Sequence, residues 1–266
     1  MQVVDAPGQL TARIATPVGV GNAILSAWTW FVFSASLIVC FVVQLLSVPL
    51  TWPFDRRRAI TGRLIRLTAV ATTACTPGWR FRVRLPTPAP RPRRTVVIAN
   101  HNSSADPFLL SHLPWEMKWL SKASMFKIPF GGWCMALAGD VPVLRGDRGS
   151  GGKALGTLAR WLEKDMPVMI FPEGTRSADG VMGEFKDGAF RLALETGADL
   201  LPMGTAGTEK AIRKHSWRVA RAHAVVKVGA PISTAGLTLA DLETLKARAR
   251  AAVEELVREA RAETAT

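Results

Sequence analysis

An uncharged stretch runs from residue 14 to residue 54, and from Ala23 to Leu50 it is mostly Val, Leu, Ile, Phe, Trp and Ala. About 20 consecutive apolar residues suffice to cross a bilayer core, so lipid is the expected surrounding and a buried core helix is the competing reading. A cleaved signal peptide fits poorly, because the run is too long, starts too late and lacks a basic leader with a small-residue cleavage site. The segment is therefore expected to remain in the mature protein. Asp55 follows, then Arg56, Arg57 and Arg58, then Arg63 and Arg66 interleaved with Ile60, Leu64, Ile65 and Leu67. That pattern predicts a second, amphipathic helix lying at a membrane interface. The arginine excess places this end on the cytoplasmic face of the inner (plasma) membrane.

Beyond Pro77 and Gly78 the chain turns soluble. Phe81, Val83 and Leu85 alternate with Arg80, Arg82 and Arg84 as a half-buried strand would, and the proline-rich stretch 86–94 reads as a stiff connection. Short apolar runs at 96–99, 141–144, 168–171, 200–203 and 224–228 alternate with helical patterns near 108–113, 153–164 and 190–197. Short strands alternating with helices predict an α/β fold, an open mixed sheet covered by helices, preceded by a membrane-associated two-helix segment. The expected division is an anchoring segment over 1–76, an α/β domain over 77–235 and a closing amphipathic helix over 236–266.

The 34 Lys and Arg against 21 Asp and Glu leave a formal charge of +13. Such a field attracts nucleic acid, an anionic bilayer or an acidic carrier protein, and charge alone does not choose among them. Cys40, Cys75 and Cys134 are too scattered for a zinc-type spacing or a disulfide framework and read as small apolar fillers in a reducing compartment. No metal or cofactor is expected.

Two stretches have side chains suited to chemistry, each directly after an apolar run. In the first, residues 100–107, His101 and Asp106 are five positions apart. On a regular helix five positions turn by roughly 500°, so the two side chains meet only across a strand-to-helix turn. There Asp106 would fix the imidazole tautomer and leave the other nitrogen free to take a hydroxyl proton. Locally, the commoner reading makes Asp106 a helix N-cap with Pro107 at the first helical position and His101 a loop residue. In the second stretch, residues 171–177, backbone N–H groups around Gly174, the Thr175 hydroxyl and the Arg176 fork would suit a phosphate dianion. Glu173 is out of place beside an anion and reads as a group orienting a donor, or as part of a plain surface loop.

Taken together and in this order, these stretches resemble the lysophosphatidic acid acyltransferase family of glycerolipid acyltransferases. His101 and Asp106 fit its H-x4-D block, and residues 139–145, ending at Arg145, fit a second block. Glu173, Gly174, Thr175 and Arg176, continuing into 185–190, fit a third; Leu201, Pro202, Gly207 and Thr208 fit a fourth. Residues 118–122 and 126–129 are also similar, and the resemblance covers about residues 78–232. Met203, Gly204, Thr205 and Ala206 depart from it, standing where β-branched apolar residues are expected.

The resemblance implies direct transfer without a covalent intermediate: His101 accepts the proton of an acceptor hydroxyl, whose oxygen attacks an acyl thioester. It implies lysophosphatidic acid as acceptor and phosphatidic acid as product, with acyl-CoA or an acyl carrier protein as donor. Arg145 and Arg176 would hold the acceptor phosphate, with Lys122 assisting. Another lysolipid, such as a lyso-ornithine lipid, is the alternative acceptor.

Other classes fit less well. There is no G-x-S-x-G for a serine hydrolase. Residues 149–153 fail the P-loop pattern at Asp147 and Ala154, so their glycines read as a flexible turn. A basic nucleic-acid binder suits the charge, but no nucleic-acid module is recognisable, and no nucleic-acid partner is expected.

Overall fold

The computed structural model describes residues 20–177 and 180–265; the expectations for residues 1–19, including the start of the anchoring segment, lie outside them. Helix α1 (Val20–Thr51) has 32 residues and is long and apolar enough to cross a membrane. Only 17% of its most apolar window is buried, and Ile24, Phe31, Val39, Leu46 and Leu50 point outward. Its other side rests on protein along much of its length. The Ser26 hydroxyl accepts from Val219 N (2.9 Å), Trp28 and Trp30 donate indole N–H to the Cys75 and Trp217 carbonyls, and Gln44 donates to the Thr61 carbonyl (2.7 Å).

Helix α2 (Ala59–Cys75) begins where the Asp55 carboxylate accepts from Ala59 N and Ile60 N at 2.8 and 2.7 Å, supplying partners for N–H groups of the first turn. Its arginines do not all face outward as the sequence pattern predicts, although Ile60 and Leu67 are exposed. Thr61, Gly62, Ile65, Thr68, Ala69 and Thr72 are buried, and Arg66 is buried with them. The Arg66 guanidinium lies 2.6 Å from Asp140 Oδ1 and 3.8 Å from Glu116. Lys118, fully buried, donates to the Arg58 carbonyl at 2.8 Å and sits 3.4 Å from Glu116. Burial pulls the Lys118 ammonium below its ordinary pKa and pushes the Glu116 carboxyl above its own. This charge cluster joins α2 to the sheet edge.

Seven strands follow: β1 (Trp79–Arg84), β2 (Thr95–Ala99), β3 (Lys118–Lys122), β4 (Val141–Val143), β5 (Val168–Ile170), β6 (Asp199–Ala206) and β7 (Ala222–Val228). They form one open mixed sheet in the order β1-β7-β6-β2-β5-β3-β4, parallel at every junction except the antiparallel β6/β7 pair. Helices α3 (Asp106–Leu110), α4 (Gly131–Ala138), α5 (Arg148–Leu162), α6 (Gly188–Thr196), α7 (Thr208–Ala211) and α8 (Leu242–Thr264) connect and cover it. Strand β2 is central and wholly buried. Its alternating side chains divide two cores: Val96 and Ile98 pack with residues of α5, α6 and α8, whereas Val97 and Ala99 pack with Leu109, Leu110 and Met203.

Three local differences from the sequence reading have physical causes. The glycines at 149, 151 and 152 lie within α5, because the Asp147 side chain accepts from Ser150 N (2.8 Å) and caps a helix there. Cys40 and Cys134 share an apolar cluster as expected of fillers, but Cys75 is exposed at the end of α2. Finally, the departure at Gly204 is a packing requirement, since a Cβ there would lie 2.4 Å from the backbone of Leu256 and Val257 in α8. The last helix approaches β6 so closely that a β-branched residue has no room.

Candidate active site

Parallel strands gather functional groups at their carboxyl ends, where loops open over the sheet. Strand β2 ends at Ala99, and Asn100 ties its end to β6: Thr205 N donates to Asn100 Oδ1 (2.7 Å) and Asn100 Nδ2 donates to the Thr205 carbonyl (3.0 Å). The chain then turns into α3 through residues 101–105. His101 Nδ1 lies 2.7 Å from Asp106 Oδ2, which also accepts from Asn102 N (2.8 Å) and Ser103 N (2.9 Å). The Thr208 hydroxyl donates to Asp106 Oδ1. Asp106 is the first residue of α3, but its carboxylate faces back to the loop; Ala105 occupies the N-cap position. The helix-cap reading of Asp106 is thereby displaced.

With no exposed surface and its oxygens engaged by donors, the Asp106 carboxylate is fixed in place. The imidazole stacks on Phe171, with ring centroids 4.0 Å apart and planes 15° apart. His101 N donates to Glu173 Oε1 (2.8 Å), and the His101 carbonyl accepts from Ser177 N (2.8 Å). An imidazole held on one face and at Nδ1 retains Nε2 as its free basic atom.

In the 173–176 loop the four residues take different places. Buried Glu173 spans two backbone N–H groups, those of His101 and Gly183, each at 2.8 Å, and so fastens the third block to the first. Gly174, at φ 68°, turns its N–H back to the Phe171 carbonyl (3.0 Å), and Thr175 is exposed. Arg176 donates to the Ser104 hydroxyl, which puts its guanidinium beside the histidine loop, and its own carbonyl accepts from Lys214 Nζ at 2.8 Å.

Beside Phe171 lies a cavity of about 220 Å³, with Lys122, Arg145, Gly174 and Lys186 in its wall together with Leu120, Val143, Leu155 and Ile170. Partial desolvation, and then the nearby charge of Arg176, lower the Arg145 pKa. Mutual repulsion of this kind is relieved by an anion between the two. The sequence assigns no role of their own to Lys186 and Thr208. Both lie inside the matching blocks, in the run 185–190 and directly after Gly207.

The span that holds the His101–Asp106 pair, Arg145 and Arg176 is that of an acyltransferase domain: the Acyltransferase family model matches residues 80–206. The chain belongs to the 1-acyl-sn-glycerol-3-phosphate acyltransferase family. It is 39% identical over 184 residues to such an enzyme from Chlamydomonas reinhardtii, covering 68% of this chain and 54% of the relative. It is 31% identical over 188 residues to the one from Pseudomonas aeruginosa, covering 68% and 70%. The chain spans about half the length of the first two plant and algal relatives it matches. Its fold is that of the crystal structure of the 1-acyl-sn-glycerophosphate (LPA) acyltransferase PlsC from Thermotoga maritima, with a TM-score of 0.74 at 23% identity over 90% of this chain and 96% of that one.

Proposed function

We propose that the protein transfers a fatty acyl group from an acyl-CoA or acyl carrier protein thioester to the sn-2 hydroxyl of lysophosphatidic acid, giving phosphatidic acid. The observation that carries this reading is the 2.7 Å His101–Asp106 contact beside Arg176, which stands on the same loop through Ser104. His101 Nε2 takes the proton of the acceptor hydroxyl as its oxygen attacks the thioester carbonyl. Asp106 holds the proton on Nδ1 and stabilises the imidazolium. Collapse of the tetrahedral adduct breaks the carbon–sulfur bond, and the imidazolium returns its proton to the departing thiolate. General-base assistance of this type contributes about 10²–10⁴ in rate.

Arg176 with Arg145, Lys122 and Lys186 would hold the phosphate. A monoester presents free oxygens to more than one cation, whereas a choline or ethanolamine diester brings its own cation towards them. The cavity, at about 220 Å³, is below the roughly 300–1,000 Å³ of ordinary small-molecule sites and suits a headgroup, not an entire lysolipid. The remaining chain would stay in lipid beside α1. That helix is fastened to the α/β domain at Ser26 and to α2 at Gln44, over about 27 Å of its axis, which favours lying in one leaflet over crossing both. The arginine excess at 56–58 supports placement on the cytoplasmic face.

The test is lipid mass spectrometry after incubating the purified full chain with lysophosphatidic acid, lysophosphatidylcholine and lyso-ornithine lipid, each with both donor types. Phosphatidic acid is the expected main product. Preference for either of the other acceptors removes the phosphate assignment and leaves acyl transfer intact.

A further inference from the structure

Residues 210–221 hold five basic residues and no acidic one: Lys210, Arg213, Lys214, Arg218 and Arg221. The base of this segment is rigid. Ile212 and Val219 pair as an antiparallel bridge, Ala220 N donates to the Ala211 carbonyl (2.9 Å), and both bridge residues are buried near Trp30, Phe33 and Phe108. Its tip is open, with Arg213, His215, Trp217 and Arg218 all exposed, Trp217 to 59%.

Two hydrogen bonds fix that tip against the apolar helix. Trp30 Nε1 donates to the Trp217 carbonyl at 2.6 Å, and Val219 N donates to the Ser26 hydroxyl at 2.9 Å. Ser26 and Trp30 are one turn apart on α1, and the same end of α1 exposes Ile24, Trp28 and Phe31. The loop also touches the site, through Lys214 Nζ on the Arg176 carbonyl. An exposed tryptophan flanked by arginines, held level with an outward apolar helix face, has the chemistry of a membrane-interface anchor. The indole suits the headgroup level and the guanidinium groups suit anionic lipid.

We infer that the 213–218 loop is a second membrane contact, with Trp217 seated at the headgroup level of an anionic leaflet and Arg213 and Arg218 on its phosphates. The inference rests on the proposed placement of α1 in lipid. Its consequence is that anionic lipid, the class to which both the proposed substrate and product belong, is concentrated next to Arg176.

The test uses the full chain, wild type against W217F and against R213Q/R218Q, with vesicles of phosphatidylcholine alone or with about one-third phosphatidylglycerol. The double variant should bind the anionic vesicles about 25-fold more weakly, roughly fivefold per arginine at low salt, and bind phosphatidylcholine as wild type does. The emission lost in W217F, obtained by difference, should be quenched by lipids brominated near the headgroup. Unchanged preference for anionic vesicles in R213Q/R218Q, or an unquenched difference spectrum on vesicles that have bound the protein, overturns the inference. Wild type that binds neither vesicle removes the lipid placement of α1 itself, which distinguishes that failure from this one.

Discussion

Thr208 and Asp106, 102 residues apart in sequence, are joined by a hydrogen bond from the threonine hydroxyl to carboxylate Oδ1, opposite the oxygen that holds His101. Thr208 opens α7 directly after Gly207, whose φ of 87° and contact with the His223 carbonyl leave no space for a side chain. The orientation of the His101–Asp106 pair therefore depends on the far end of β6. His101→Ala should abolish turnover while the protein remains folded, and Asp106→Asn should be severely slow. Thr208→Val should lower kcat about tenfold to a hundredfold, the effect of a lost hydrogen bond to a charged group, with little change in KM. Substantial turnover in His101→Ala would end the base assignment.

Arg176 should matter chiefly for the acceptor. Arg176→Ala is expected to raise KM for lysophosphatidic acid about tenfold to a hundredfold and to leave KM for the acyl donor nearly unchanged. Arg176→Lys should recover part of the loss, because an ammonium lacks the planar fork. Lys186→Gln should act in the same direction. Initial rates at varied acceptor and donor decide this, and equal effects on both KM values would place Arg176 elsewhere in the reaction.

The buried ion pair between Arg66 and Asp140 predicts a stability effect remote from the chemistry. Arg66→Ala leaves buried Asp140 without its cationic partner and should destabilise by about 3–5 kcal/mol, while Glu116 keeps Lys118 beside it. Thermal unfolding in detergent reads this directly. An unchanged Tm would mean that water reaches the cluster.

Two glycines should respond in opposite ways. Gly204→Val forces a side chain into the backbone of α8 and should cost at least about 1–3 kcal/mol. Gly156 lies inside α5, where an added Cβ would meet open space, and its replacement by alanine should stabilise by about 0.5–1 kcal/mol. A neutral or stabilising Gly204→Val would contradict the close approach of α8 to β6, and a destabilising Gly156→Ala would contradict the open space beside α5.

His112 gives a pH signature. Burial, and then the charge of Arg63, lower its folded-state pKa below the ordinary value of 6.5. The unfolded chain thus binds the proton more readily, and stability should fall as pH drops below about 6.5 until the folded-state pKa is passed. Unfolding midpoints between about pH 7.5 and 5.5 should slope less steeply in His112→Gln than in wild type. Parallel slopes would assign the dependence to other groups.

Local pattern carried much of the architecture. The period-two alternation at 80–85, the apolar runs of β2, β5, β6 and β7, and the apolar length of α1 are properties of neighbouring residues, and they stand in the fold close to where the sequence places them. The short β3 was not legible as a strand, because its lysines conceal a burial that only Glu116 and the Arg58 carbonyl make tolerable.

The sequence by itself determined most of the element types and the open α/β sheet, and it placed His101 and Asp106 on one strand-to-helix turn where they can meet; that they do meet was settled by the fold, through the loop N–H groups and Thr208 that hold the carboxylate. Tertiary structure alone decided that Arg66 is interior, that Glu173 braces the His101 backbone, that Lys186 enters the cavity and that Thr208 completes the carboxylate's partners. Each of these joins residues dozens of positions apart, and their meeting is set by strand order and by the reversal between β6 and β7. Whether a buried charge is tolerated depends on partners arriving from other elements, and no local period in the sequence records which elements those are.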